Sequence, residues 1–172
     1  IQRGIDLALD RRVAGVVTGP IQKEALSQAG LNYPGHTEIF AERCGLTRRW
    51  CMMQYSDPVT CSFVTTHIGY ADVPGALSTE RILEVIELTH EALLKIQKRE
   101  PKLAVLGLNP HAGENGLFGN REEQMIVEPA IQRAREQGIY VEGPLPPDTA
   151  FTPLKRKQVD GFVCLTHDQG HI

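Results

Sequence analysis

The sequence has 172 residues, 41% of them hydrophobic and 23% charged, and carries a net charge of −3. This is an ordinary globular composition, and its slight acidity offers no electrostatic attraction to nucleic acid. No apolar run reaches the roughly 18 residues that a membrane-spanning helix needs, so no bilayer is expected as a partner.

Ile1, Ile5, Ala8 and Leu9 recur at helical spacing and predict an amphipathic helix up to Asp10, with Gly4 weakening its first turn. Residues 13–17 predict a short apolar strand that stops at Thr18-Gly19-Pro20. Pro20 and Gly30 bracket a second helix over 21–29, since proline suits a helix start and glycine the position past its end. Asn32-Tyr33-Pro34-Gly35 reads as a turn. A third helix over 37–44 follows, with His36 and Thr37 at its start and Gly45 as its stop.

Residues 50–53 and 59–66 read as strands around a turn at Ser56-Asp57-Pro58. Pro74-Gly75 breaks the chain ahead of Ser78, a good N-cap. Ile82, Leu83, Ile86, Ala92, Leu93 and Ile96 then mark a long amphipathic helix ending before Pro101. A strand over 103–108 opens into a glycine-rich loop and a helix over 121–137, interrupted or kinked at Pro129 and stopped by Gly138. A short strand over 139–141, a proline-rich ordered loop over 143–151, a solvated basic loop at Lys155-Arg156-Lys157 and a last strand over 162–165 complete the chain. Strands alternate with helices, so the class is α/β with an at least partly parallel sheet.

The four cysteines, at 44, 51, 61 and 164, form no CxxC pair. Cys51, Cys61 and Cys164 lie in or beside apolar runs and read as buried reduced thiols, which favours a reducing compartment, the cytoplasm. Both ends read as cut. The expectation is one truncated α/β unit over 1–172, with subdomain crossings near 30–35 and 158–165.

Three apolar runs end alike: CSFVTTH closes on His67, LAVLGLNPH on His111 and GFVCLTH on His167. A lone histidine is more often a surface or core polar residue than a ligand, and His90, in the middle of the long helix, takes that reading. Three in the same strand-end context suggest a divalent-metal site with positions left open for substrate oxygens. Their intervals match no local zinc-finger pattern, so the fold must assemble the site. His36 and Thr37 open a helix, where backbone N–H groups attract a carboxylate or phosphate; plain N-capping by Thr37 is the simpler account. Asp148 and Asp168 sit in motif-like loops, where either can orient a ligated histidine, accept a proton or merely end a turn. No standard nucleotide fingerprint is present, and no serine sits in a nucleophile elbow.

TGPIQKEAL, YPGHTEIFAE, VTTHIGY, GLNPHAGENGLFG, GPLPPDTAF and HDQG resemble, in order, the motifs of the PdxA family of NAD-dependent 4-hydroxythreonine-4-phosphate dehydrogenases. The resemblance implies an isocitrate/isopropylmalate dehydrogenase-like fold, a homodimer with two α/β subdomains and the active site in the cleft between them. It implies that His67, His111 and His167 hold a divalent cation (zinc, magnesium or cobalt) shared between subunits. His36 and Thr37 match the family's substrate-binding pair, and Asp148 an acid with a supporting catalytic role. The implied activity is oxidation, with decarboxylation, of a phosphorylated β-hydroxy acid by NAD or NADP.

The family also has a glycine-rich segment before this sequence and a substrate-holding segment after HDQG, so the chain is expected to lack part of the substrate and cofactor sites. His171-Ile172 stands where the vitamin B6 enzymes have Leu-Pro. With MMQYSDPVTCSFVTTHIGY and LSTERILEVIELTH, this is closer to the branch acting on 4-phospho-D-threonate or 4-phospho-D-erythronate than to that acting on 4-phosphohydroxy-L-threonine. The competing expectations are a metal-dependent hydrolase or lyase using the same histidines, and a truncated non-catalytic module that still dimerises.

Overall fold

The computed structural model describes residues 1–31, 33 and 35–171, with the backbone alone at Lys23. Asn32 and Pro34, central to the turn expected at 32–35, lie outside the described residues, as does Ile172. The chain divides after Trp50 into two compact units, Ile1–Trp50 and Cys51–Ile172, where the sequence reading expects one unit with crossings near 30–35 and 158–165.

The first unit holds helices α1 (Gln2–Leu9), α2 (Lys23–Gln28) and α3 (His36–Arg43). Ile5 of α1 and Ile39 and Ala41 of α3 are buried, and Arg43 forms an ion pair with Asp6. Gly30 and Gly45 end α2 and α3 with left-handed φ of +74° and +71°, as their positions in the sequence predict. The strand expected over 13–17 is not formed, and Val17 is fully exposed. Among the described residues no strand pairs with this segment, so it has no ladder partner for its N–H and C=O groups.

The second unit is built on a five-stranded sheet of order β1-β2-β5-β3-β4: β1 (Met52–Gln54), β2 (Cys61–Phe63), β3 (Leu103–Leu106), β4 (Val141–Leu145) and β5 (Gly161–Cys164). β1 runs antiparallel to β2, and every other pairing is parallel. The carboxyl ends of β2, β5, β3 and β4 therefore share one edge. β3 and β5 are buried along their whole length, because both faces are covered. Leu103, Val105 and Val163 point to one core with the helices, while Ala104, Leu106, Phe162 and Cys164 point to the other.

Helix α4 (Val73–Ala76) is a single turn where a simple break is expected. Helix α5 (Thr79–Gln97) starts at Ser78, whose Oγ accepts from Arg81 N at 3.1 Å, and buries Ile82, Val85, Ile86, Thr89 and Leu93 on one face. Pro129 interrupts the next helix as expected. A π turn (Glu123–Val127) precedes it, and α6 (Glu128–Glu136) carries it in the first turn, where its missing N–H costs nothing.

Two proline-rich readings need correction. Residues 141–145 form β4 despite Pro144, because β4 is an edge strand and one of its sides needs no ladder partner. Pro147–Ala150 is a short helix, α7, and Pro153–Arg156 another, α8, so neither 143–151 nor the basic cluster is simply loop. Lys155 Nζ pairs with Glu142 at 2.9 Å. The last helix, α9 (His167–Gly170), begins directly after β5.

All four cysteines are free; Cys61 and Cys164 are buried, and burial pushes the half-buried Cys51 thiol up to about 11. Among the described residues, no helix is long and apolar enough to cross a membrane.

Candidate active site

Each parallel strand delivers one polar side chain to the shared carboxyl edge. Beyond β2, Thr65 continues the ladder to Leu165 (N–H to carbonyl, 3.3 Å; Oγ1 to carbonyl, 2.6 Å), and His67 follows. Beyond β5 comes His167, beyond β3 His111, and beyond β4 Asp148 at the first turn of α7. The rings of His67 and His167 lie 5.5 Å apart, and His111 Nδ1 lies 4.0 Å from Asp148 Oδ2. The edge thus carries two pairs. Among the described residues no group of three or more histidine, cysteine, aspartate or glutamate side chains stands close enough to hold a metal ion.

A cavity of about 820 Å³ opens along this edge, with His111, Asp148, Asn109, Asp168 and Gln169 in its wall. A recess of about 180 Å³ beside His67 and His167 shares Tyr70, Val73, Thr166 and Asp168 with it. Asp168 is a hub between the two. Its Oδ1 lies 2.7 Å from His167 Nδ1, and its other oxygen accepts from the Tyr70 hydroxyl. The Tyr70 hydroxyl first, and His167 second, hold the Asp168 carboxyl below the usual carboxylate range.

The loop after β3 has an unusual backbone. His111, Ala112, Gly113, Glu114 and Asn115 all have φ between +41° and +73°, a full left-handed turn closed by Ala112 N–H to Asn109 O at 3.0 Å and Phe118 N–H to Gly113 O at 3.1 Å. Left-handed helical conformation costs an L-residue roughly 1–2 kcal/mol. Four non-glycine residues here bear that strain, and strain of this kind persists only where the surroundings over-determine it. The fully buried Glu123 does so: its Oε1 accepts from Leu108 N–H at 2.9 Å and Asn109 N–H at 2.8 Å. Beside it, burial alone would raise the Glu122 carboxyl, but backbone N–H groups and the amides of Asn109 and Asn120 hold it lower.

Gln169 ties the strand ends together. Its Oε1 accepts from Leu165 N–H at 2.8 Å and Thr166 N–H at 3.2 Å, and its Nε2 donates to Gly107 O at 2.8 Å across on β3. With Thr166 it forms a capping box for α9. That box was readable in Thr-x-x-Gln, residues 166–169; Glu123 and Tyr70 carry no comparable local signal. His171 also escaped notice as a site residue. It stacks on His167 at 3.8 Å between centroids, with Nδ1 2.9 Å from His167 O.

His36 and Thr37 belong to the first unit, in the opening turn of α3. Gly35, not Thr37, is the N-cap, and no side chain caps the helix. His36 Nε2 is buried without a hydrogen-bond partner among the described residues.

All of the chain, residues 1–172, matches the family described as pyridoxal phosphate biosynthetic protein PdxA. The chain belongs to the PdxA family. It is 45% identical over 172 residues to the D-threonate 4-phosphate dehydrogenase of Salmonella typhimurium, covering 100% of the chain and 52% of that protein. It is 44% identical to the 4-hydroxythreonine-4-phosphate dehydrogenase of Desulforapulum autotrophicum, covering 100% of the chain and 50% of that protein. The crystal structure of 4-hydroxythreonine-4-phosphate dehydrogenase from Klebsiella pneumoniae superposes with a TM-score of 0.88 at 42% identity, over 99% of this chain and 52% of that one. This PdxA-family chain therefore spans about half the length of the relatives it matches.

Proposed function

We propose that the protein containing this chain oxidises, with decarboxylation, a phosphorylated β-hydroxy acid, passing hydride to NAD or NADP. The observation that carries the reading is the delivery of His67, His167, His111 and Asp148 by four neighbouring parallel strands to one sheet edge beside a substrate-sized cavity. The names of the relatives support 4-phospho-D-threonate or 4-phosphohydroxy-L-threonine as the substrate class, and the family resemblance adds 4-phospho-D-erythronate.

His67, His111 and His167 would hold a divalent cation (zinc, magnesium or cobalt), and neutral imidazoles suit all but the hardest of these. When bound, such a cation supplies Lewis acidity for deprotonating the substrate hydroxyl and for the later loss of CO₂. One chain brings His67 and His167 together and leaves His111 beside Asp148, which fits a homodimer in which a second copy completes each set. Asp168, anchored by Tyr70, engages His167 Nδ1 and leaves Nε2 as the coordinating nitrogen. Asp148 stands beside His111 as a proton acceptor for the substrate hydroxyl. His36 and Thr37 bind an anionic group of the substrate, and the buried His36 Nε2, without a hydrogen-bond partner among the described residues, supports that role. The family resemblance supports an isocitrate/isopropylmalate dehydrogenase-like arrangement of the whole protein, and the free cysteines, two of them buried, support a cytoplasmic location.

The test is the near-ultraviolet absorbance of reduced nicotinamide when the full-length protein, NAD⁺ and each phosphorylated acid are combined, with and without a chelator. A metal-dependent rise with one of the acids is expected. A hydrolase or lyase would consume substrate with no such signal, and a non-catalytic module would leave the acid intact; either result overturns the reading.

A further inference from the structure

The left-handed turn that presents His111 is costly for its own residues, so something outside it must select it. The groups that meet it point to a single side chain. Glu123 is fully buried, yet its carboxylate is spent entirely on the segment entering the turn: Leu108 N–H at 2.9 Å, Asn109 N–H at 2.8 Å and Asn109 Nδ2 at 3.1 Å. The turn also wraps the carboxylate closely. A Cβ on Gly113 would lie 2.4 Å from Glu123 Oε2, and one on Gly107 would lie 3.4 Å from Oε1 and 2.7 Å from Ala112 Cα. Only glycine fits at these positions.

The placement of Glu123 has its own cause. It opens the π turn Glu123–Val127, directly ahead of α6 and Pro129. In a continuous α-helix the Pro129 ring would collide with the carbonyl of Met125. The wider turn avoids that collision and adds one residue, which rotates everything before it by about 100° about the helix axis. Glu123 is thereby carried to the face that meets the turn.

We propose that Glu123 is a positioning residue for His111: its buried carboxylate is the template on which the left-handed turn 111–115 folds. The link to catalysis rests on the reading of His111 as a metal ligand; the link to the turn does not. Glu123 has no exposed surface, so it touches neither substrate nor cation itself.

The experiment uses the full-length protein with Glu123→Gln, which keeps the shape and replaces one acceptor oxygen by a donor. Three quantities are read: amide hydrogen exchange at Leu108 and Asn109, affinity for Co²⁺ from its visible absorption, and the thermal midpoint. Exchange at those two amides is expected to rise more than tenfold, with exchange in β3 and β5 unchanged. Co²⁺ affinity falls about 10- to 100-fold, the range seen when the supports of metal ligands are removed. Adding Ala112→Gly restores part of that affinity, because glycine enters the left-handed region without the penalty; a general loss of stability would not be repaired this way. Wild-type exchange at Leu108 and Asn109, or wild-type Co²⁺ affinity, in Glu123→Gln overturns the inference. If the unsubstituted protein binds no Co²⁺, the metal reading falls, and the template is then judged on exchange alone. Should Glu123→Gln fail to fold, Glu123→Asp withdraws the carboxylate by one methylene; unchanged exchange at the same amides in that variant overturns the template equally.

Discussion

At the amino ends of β3 and β5, Asp160 accepts from Lys102 N–H at 2.8 Å and pairs with Arg99 at 2.9 Å. At the carboxyl ends of the same two strands, the neutral Gln169 spans from Leu165 and Thr166 to Gly107, and the buried Glu123 braces a left-handed turn. One end of the sheet is closed by a charged clamp. The other is held apart by bridges that leave polar side chains facing open space. The same strand pair is thus knitted for stability at one end and strained for presentation at the other, as expected of parallel sheets whose sites lie at their carboxyl edge.

Substitutions at the two ends should separate activity from stability, and the largest effect belongs to the histidines. His111→Ala in the full-length protein is expected to abolish metal retention and turnover while leaving the thermal midpoint within a few degrees, since the ring is 62% exposed. Metal analysis and the nicotinamide assay read both quantities. An unchanged rate would remove His111 from the site.

Next comes Gln169→Ala, which unties the carboxyl ends without touching a histidine. Misplacing the reacting groups by about 1 Å costs on the order of 100-fold, so kcat/KM should fall 10- to 100-fold. A drop in thermal midpoint with kcat/KM intact would make Gln169 part of the fold alone.

The amino-end clamp should behave in the opposite way. Asp160→Asn is expected to cost about 1–2 kcal/mol in a urea titration, chiefly through the Lys102 N–H bond, because Arg99 is largely exposed and its pairing is screened. Turnover per folded molecule should not change. The Arg99 guanidinium holds the Asp160 carboxyl below its ordinary value. Its stabilisation is therefore complete above the ordinary carboxylate range and is lost as pH falls through the lowered pKa. The urea midpoints of the unsubstituted protein and Asp160→Asn should converge in acid and diverge toward neutral pH.

The smallest effect is expected at the exposed pair of Arg133 and Glu80, 3.0 Å apart. Glu80→Gln should leave both the urea midpoint and the activity essentially unchanged, because a solvent-exposed pair is screened. A larger loss would show that the sheet's stability is not concentrated in the clamp.

Much of this organisation is legible in the sequence. The periodicity of α5, its Ser78 cap, the interruption at Pro129 and the strand-end positions of His67, His111 and His167 all follow from local pattern. What escapes is set by tertiary contact. Residues 143–145 read as loop, and the strand as ending at 141, because a proline there is acceptable only on an edge strand, and the strand order is not written locally. Residues 13–17 read as strand because apolarity says nothing of whether a partner is present. In the sequence Glu122-Glu123 is no more than an acidic helix start; only the left-handed turn wrapped around Glu123, and the one-residue offset of the π turn, make it a buried template. The pairing of His67 with His167, and of His111 with Asp148, follows from the crossed strand order rather than from any spacing.

The most direct test of the shared site mixes two inactive variants. His111→Ala and His167→Ala protomers of the full-length protein are unfolded together, refolded and assayed with NAD⁺ and the preferred phosphorylated acid. If each site takes these two histidines from different copies, a mixed dimer contains one intact set, and random pairing restores about a quarter of the full activity. Activity no higher than that of either variant alone would contradict a site completed by a second copy.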